Sequence, residues 1–407
     1  MPTGKLYWDD PLSADFDTEG ATVGSYAGRP SLVLARTLFY PEGGGQLSDT
    51  GELTIAGKSL HVGDVQIDDA GVIHHLVTAM PEGEISGAVH GRIDAARRRD
   101  HMAQHTAQHM LSRALVDVAR AETVSARLGA ASCTIDLNLS EVSDAALGNI
   151  EDLVNAVVRD DVGVRALYPS AEELLAMKLR RTPKVTENVR VIDVERFDLT
   201  PCGGTHCTRT GQIGQVTVAG TERAKGKVRL SFHAGRRALV DAREKQAVLS
   251  ALAADFTCGL LDVPVAVAKL RGELKARLDA LSGVRGELAT LIAERVLATH
   301  PADPTGTTAI VLRRDRDDVG MLRSLAGRLA ARADVVAICT ARDGDGDDLA
   351  IVVQRGEKAT FDCGRWLKEV ALAHGGRGGG RPERAEGRVP RTAPLETLAV
   401  PLVRAEG

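Results

Sequence analysis

Hydrophobic and polar positions follow different rhythms in successive parts of this chain. Up to about residue 92, short apolar runs alternate or cluster between Gly and Asp turns, as in Ser31–Leu34, Leu53–Ile55, Leu60–Ile67 and Val72–Val77. Such runs predict strands, and many of them at regular spacing predict a small β-barrel. From Arg97 to Val118 there is no Gly or Pro, and Met102, Met110, Leu111, Leu115 and Val118 recur at helical spacing, which predicts a helix. Strands are expected over 124–128 and 131–139. A helix from Ala145 to Arg159 follows, with Ser143 placed to cap it. A third helical piece spans Glu172 to Lys178, a strand covers Val189 to Phe197, and paired strands are expected at 210–214, 216–218 and 228–235.

Beyond Ala238 the pattern is helical and leucine-rich as far as Thr299, interrupted at Gly259 and Pro264; Asp262 and Pro264 suit the start of a second helix. Leu270, Leu274, Leu278, Leu281, Leu288 and Leu291 keep mostly three- and four-residue spacing, which predicts a helical hairpin or a coiled coil able to pair two copies of the chain. The remainder alternates strands and helices, at 308–312, 319–331, 335–340, 349–354 and 363–373, an α/β pattern. Taken whole, the mixture is α+β.

Composition narrows the possibilities. At 407 residues two to four domains are expected, and 43% hydrophobic residues can fill their cores. The net charge of −4 carries no global basic signature, so contact with nucleic acid must come from local patches. Three are visible: Arg97–Arg99, the stretch from Lys178 to Lys184, and a run from Arg223 to Arg237. Six scattered cysteines show no secretory spacing, which points to reduced thiols. The N-terminus has no apolar core of a signal peptide, and no window approaches about 18 uninterrupted apolar residues. A soluble, cytoplasmic protein without a membrane partner is the expectation.

The chemistry concentrates in two places. On the predicted helix His105 and His109 stand one turn apart on one face, within reach of a single ion. Cys202 and His206 share that spacing across Gly203 and Gly204, which permit a tight turn aiming thiolate and imidazole at one point. Three imidazoles and a thiolate suit zinc. His101, one turn earlier, is a further candidate, and Cys207 reads as a spare thiol. Position 106 is Thr, not Glu, so this is not the zinc-peptidase helix His-Glu-x-x-His.

The pairing of His-Thr-Ala-Gln-His with Cys-Gly-Gly-Thr-His resembles the editing domain of alanyl-tRNA synthetases and their free-standing relatives, the AlaX-type proteins. The resemblance selects His105, His109, Cys202 and His206 as ligands of Zn2+. The loop Gly43-Gly44-Gly45-Gln46 is also similar to the family pattern, in which it faces the editing pocket; this puts Gly44 and Gly45 against the substrate and Gln46 in a catalytic position. Thr106, Gln108 and Gln46 are candidate partners for a substrate hydroxyl or an attacking water. The C-terminal stretch His374-Gly375-Gly376-Arg377-Gly378-Gly379-Gly380-Arg381 resembles the glycine loop of the C-terminal domain that alanyl-tRNA synthetases share with DHH phosphoesterases. There, backbone N–H groups could form an anion nest, and Arg377 and Arg381 would add charge toward tRNA.

The resemblance thus implies four domains: a β-barrel (1–92), a zinc-dependent editing domain (93–240), a helical linker (241–303) and a C-terminal tRNA-binding domain (304–407). The implied activity is hydrolysis, without aminoacylation, of tRNA(Ala) mischarged with serine or glycine, by a chain able to form a homodimer through the linker or the C-terminal domain. A non-catalytic RNA-binding protein stabilised by zinc, and a hydrolase of another aminoacyl ester, are the alternatives.

Overall fold

A computed structural model describes residues 2–78, 87–183, 188–302, 306–342 and 348–390. The fold is mixed α+β and divides into two compact units, Met1–Ala251 and Leu252–Gly407.

In the first unit, seven antiparallel strands form one sheet: β1 (Asp15–Glu19), β2 (Ala21–Tyr26), β3 (Arg29–Leu34), β4 (Gly51–Ile55), β5 (Lys58–Ile67), β6 (Ile73–Val77) and β7 (Ala88–Ile93). Their order is β1-β7-β4-β5-β6-β3-β2. The two edge strands are consecutive in sequence and separated by Gly20 alone, so the sheet must curl until its edges meet. Among the described residues no ladder joins β1 to β2, which leaves the expected barrel open along that seam. Its core gathers Leu32, Leu34, Phe39, Leu53, Val62, Val65, Ile73 and Val89. The Gly-Gly-Gly-Gln loop leaves this sheet between β3 and β4.

Next comes helix α1 (Ala95–Ala119), with Asp94 capping Ala96 N and Arg97 N. Against it pack a four-stranded antiparallel sheet and helix α2 (Asp144–Arg159), which Ser143 caps as expected. That sheet contains β8 (Thr123–Leu128), β9 (Cys133–Leu137), β12 (Val216–Ala224) and β13 (Lys227–Ala234), in the order β8-β9-β13-β12. Met110, Leu111, Leu115, Ile135, Ile150, Val154, Leu230 and Phe232 form the shared core. A smaller sheet of Val164–Leu167, β10 (Val191–Val194) and β11 (Asp198–Pro201) carries the chain into the Cys-Gly-Gly turn. Residues 210–213, expected in a strand, form instead a 3-10 turn, in which Thr210 Oγ1 donates to Val157 O on α2.

The boundary between the units falls within α3 (Arg236–Asp255), and helix α4 (Val263–Thr299) follows in the second, with Pro264 in its first turn. Leu270, Leu274, Leu278, Leu281, Leu288 and Leu291 are all exposed along α4, whereas Ala289 and Ala293 are buried in the unit's core. A five-stranded sheet follows, made of β14 (Thr308–Arg313), β15 (Val335–Arg342), β16 (Asp348–Arg355), β17 (Arg377–Arg381) and β18 (Arg384–Pro390). Its order is β14-β15-β16-β18-β17, with only the first pair parallel. Helix α5 (Val319–Ala330) packs on this sheet, and α6 (Cys363–Ala373) on its other core.

The glycine stretch corrects an expectation. Arg377–Arg381 is an exposed edge strand, not a loop, and pairs with β18 in a hairpin. Its glycines allow close packing: a Cβ at Gly378 would come within 3.0 Å of Leu367 Cγ on α6, and one at Gly380 within 2.3 Å of Arg384 O. No residue of this strand has positive φ, so the backbone lacks the alternation an anion nest needs. Among the described residues, no single helix is long and apolar enough to cross a membrane.

A candidate metal centre at the floor of a cleft

Helix α1 is polar in sequence yet buried: His101, Gln104, His105, Thr106, Gln108, His109 and Ser112 are all inside. Such burial demands partners, and Gln104, His105, Thr106, Gln108 and Ser112 have them, whereas Nδ1 of His101 and of His109 has none among the described residues. His105 and His109 project from successive turns, and the Cys202–His206 turn closes over them. Gly204 makes that closure possible, because a Cβ there would lie 2.2 Å from His105 Cε1.

The donor atoms of His105, His109, Cys202 and His206 all lie within 4.8 Å of one another, the one such group among the described residues. Cys202 Sγ is 3.4 Å from both His105 Nε2 and His206 Nε2. A tetrahedral ion with bonds of about 2.0–2.1 Å to nitrogen and 2.3 Å to sulfur separates such ligands by about 3.5 Å. The donor set fits a zinc-like ion. Burial pushes His105 down to about 3 and holds His109 and His206 well below the ordinary imidazole range, so all three rings are neutral at neutral pH, the form a metal ligand needs. Burial also pushes the Cys202 thiol up, a penalty that a bound cation would remove. His101 and Cys207 stay outside the cluster.

Behind the ligands stand residues that the sequence assigned to substrate. Gln46 is fully buried; its Oε1 accepts from His105 Nδ1 at 2.7 Å and from Thr205 N at 3.2 Å, and its Nε2 donates to Thr205 Oγ1 at 2.8 Å. Thr106 donates its hydroxyl to Met102 O at 2.8 Å and accepts from Cys207 N; His206 Nδ1 lies 3.3 Å from the same oxygen. Both side chains therefore back the ligands and do not face the cleft, because their polar atoms are already committed. Gly45 is needed for a different reason: its φ is +86°, and a Cβ would meet Ala126 O at 2.7 Å.

His105, His109 and Cys202 form part of the wall of a cleft of about 620 Å³, which Gly44, Gly45, Gln108, Arg180, Arg181, Arg190 and Trp8 also line. Gln108 donates to Ser112 Oγ at 2.7 Å, and among the described residues no hydrogen bond reaches its carbonyl oxygen. Sequence reasoning missed Arg190 and Trp8. Arg190 Nη1 donates to Cys202 O and Gly204 O, each at 2.9 Å, and Trp8 Nε1 donates to Gly203 O at 2.8 Å, so both clamp the ligand turn. Neither stands near the turn in sequence in a way that marks its role.

The basic clusters are less available than the sequence suggests. Arg98 is buried against Asp49, Arg237 bonds Asp100, and Arg229 bonds Asp136. Lys184 lies outside the described residues. Arg377 and Arg381 are exposed on β17.

Three family models match: tRNA synthetases class II (A) over 17–97, the threonyl and alanyl tRNA synthetase second additional domain over 189–231, and the DHHA1 domain over 306–399. The second match spans the Cys-Gly-Gly-Thr-His turn. This chain is a relative of the alanyl-tRNA synthetases. The alanine–tRNA ligase of Halorubrum lacusprofundi is 32% identical over 404 residues, covering 97% of this chain and 43% of the ligase. That of Pyrococcus furiosus is 30% identical over 95% of this chain and 42% of the ligase. That of Saccharopolyspora erythraea is 32% identical over 88% and 41%. This synthetase relative thus spans about two fifths of the length of the curated ligases it matches. A solved C-Ala domain from Aquifex aeolicus alanyl-tRNA synthetase aligns over 25% of this chain and 92% of that one, with 22% identity and a TM-score of 0.22.

Proposed function

We propose that this alanyl-tRNA synthetase relative is a zinc-dependent deacylase that hydrolyses the ester of tRNA(Ala) mischarged with serine or glycine. The observation that carries the proposal is a cluster of three histidines and a cysteine, of which His105, His109 and Cys202 line an arginine-bearing cleft. His105, His109, Cys202 and His206 would hold the zinc, which supplies Lewis acidity near the ester carbonyl. Arg181 and Arg190 offer positive charge to the phosphates of the acceptor end, and Gly44 and Gly45 let a ligand approach the backbone. Gln108, which lines the cleft, would accept from a serine hydroxyl through its carbonyl oxygen. A site that bonds a hydroxyl discriminates strongly against an analogue lacking it. Arg377 and Arg381 in the second unit are proposed to touch the same tRNA.

Full ligation by four protein donors would close the ion to substrate, which favours the second reading, a purely structural zinc in an RNA-binding protein. One assay separates the two. The same tRNA(Ala) is charged in turn with serine, glycine, alanine and a D-residue, and deacylation is followed with metal-replete protein. Rapid loss of serine with survival of alanine supports the proposal. Release of none of them, with tRNA still bound, would give the second reading instead.

A further inference from the structure

His105 and His206 each turn Nε2 to Cys202 Sγ and the other ring nitrogen to the protein behind it. For His105 the outer nitrogen is Nδ1, bonded to Gln46; for His206 it is Nδ1, beside Thr106. His109 breaks the pattern. Its Nδ1 is buried without a hydrogen-bond partner, and the carboxylate of Asp198 stands 4.0 Å away.

Asp198 is not there by accident of packing. Its side chain is 1% exposed, and both oxygens are aimed by donors. Arg180 Nε donates to Oδ1 at 2.9 Å, Arg180 Nη2 to Oδ2 at 3.2 Å, and Thr200 Oγ1 to Oδ2 at 2.7 Å. Arg180 and Thr200 also line the cleft.

We propose that Asp198 is the outer partner of His109, a carboxylate–histidine pair that forms when the inner nitrogen takes a cation, with Arg180 and Thr200 as the residues that position it. This rests on the metal reading given above. The physical reason is tautomeric. A ligating imidazole gives one lone pair to the ion, so its proton must sit on the other nitrogen, where burial demands an acceptor. Pairing fixes the ring and raises its basicity as a ligand. Because the donors aiming Asp198 belong to the cleft wall, they also link the cleft to the ligand shell.

The test uses the full chain and zinc alone. Zinc affinity is measured by competition with a chelator for wild type and Asp198→Asn, and the histidine ring resonances of both zinc-loaded proteins are recorded with 15N-histidine labelling. Asp198→Asn should bind zinc about 10–100-fold more weakly, and the His109 Nδ1 proton should move upfield from its wild-type position. If the single variant fails to fold because Arg180 is left with an unpaired charge, the Arg180→Gln/Asp198→Asn double variant relieves that charge and takes its place. Zinc affinity within about twofold of wild type, or an unmoved His109 resonance, overturns the pairing and leaves the metal reading standing. Wild-type protein that binds no zinc overturns both.

Discussion

Gln46→Ala distinguishes a ligand-supporting residue from a substrate-binding one. In a position with no exposure, the side chain carries three hydrogen bonds: from His105 Nδ1, from Thr205 N and to Thr205 Oγ1. Truncation strands all three groups. At about 1–3 kcal/mol for each buried group, with water entering the vacated space to recover part, a loss of about 3–5 kcal/mol is expected in the metal-free protein. Losing the partner of a ligating histidine should weaken zinc about 10–100-fold, equivalent to about 1.4–2.7 kcal/mol. Urea denaturation of the metal-free protein reads the first figure, and chelator competition the second. Gln46→Glu keeps an acceptor for His105, and the Thr205 hydroxyl can rotate to donate, so it should bind zinc almost as wild type does. The reasoning fails if Gln46→Ala binds zinc normally yet deacylates a hundredfold more slowly. That result would return the amide to the substrate, where the sequence pattern alone had placed it.

Three further expectations follow from other parts of the molecule. Burial holds His75 down at about 4 against an ordinary 6.5, so the unfolded chain binds the extra proton between those values. Stability should therefore fall by about 3 kcal/mol as pH drops from 6.5 to 4, and His75→Gln should flatten that slope in urea titrations across pH. Arg181 lines the cleft and has no ion pair among the described residues, so Arg181→Gln should weaken tRNA binding and reduce the salt slope of log affinity by about one; Arg377→Ala with Arg381→Ala should act in the same direction. Replacing the exposed Leu274 and Leu281 by Lys should lower the oligomeric state in light scattering if α4 pairs two copies, and a wild type already monomeric at high concentration would refute that pairing.

Local pattern determined much of this protein before any tertiary contact is considered. The absence of Gly and Pro from 97 to 118 marks α1, and a period of four residues puts His105 and His109 on one face whatever packs around them. The Cys202–His206 turn is equally local, since its two glycines allow a bend that other residues resist. Ser143 and Asp94 cap their helices because a short acceptor before a helical run meets N–H groups that are free in any helix.

Long-range packing decided the rest. Gln46 reads as a free donor and acceptor, but its partners lie 59 and 159 residues away, at separations that no local rule addresses. Arg98 reads as one of three solvated arginines until the fold buries it against Asp49. The strand at 377–381 looks like a loop because glycine is permissive, and only the hairpin partner and Leu367 of α6 show that its missing side chains serve close approach. Asp198, Arg190 and Trp8 carry no motif at all. Their places are set by tertiary packing alone, which brings a carboxylate, a guanidinium and an indole around one turn of the candidate metal site.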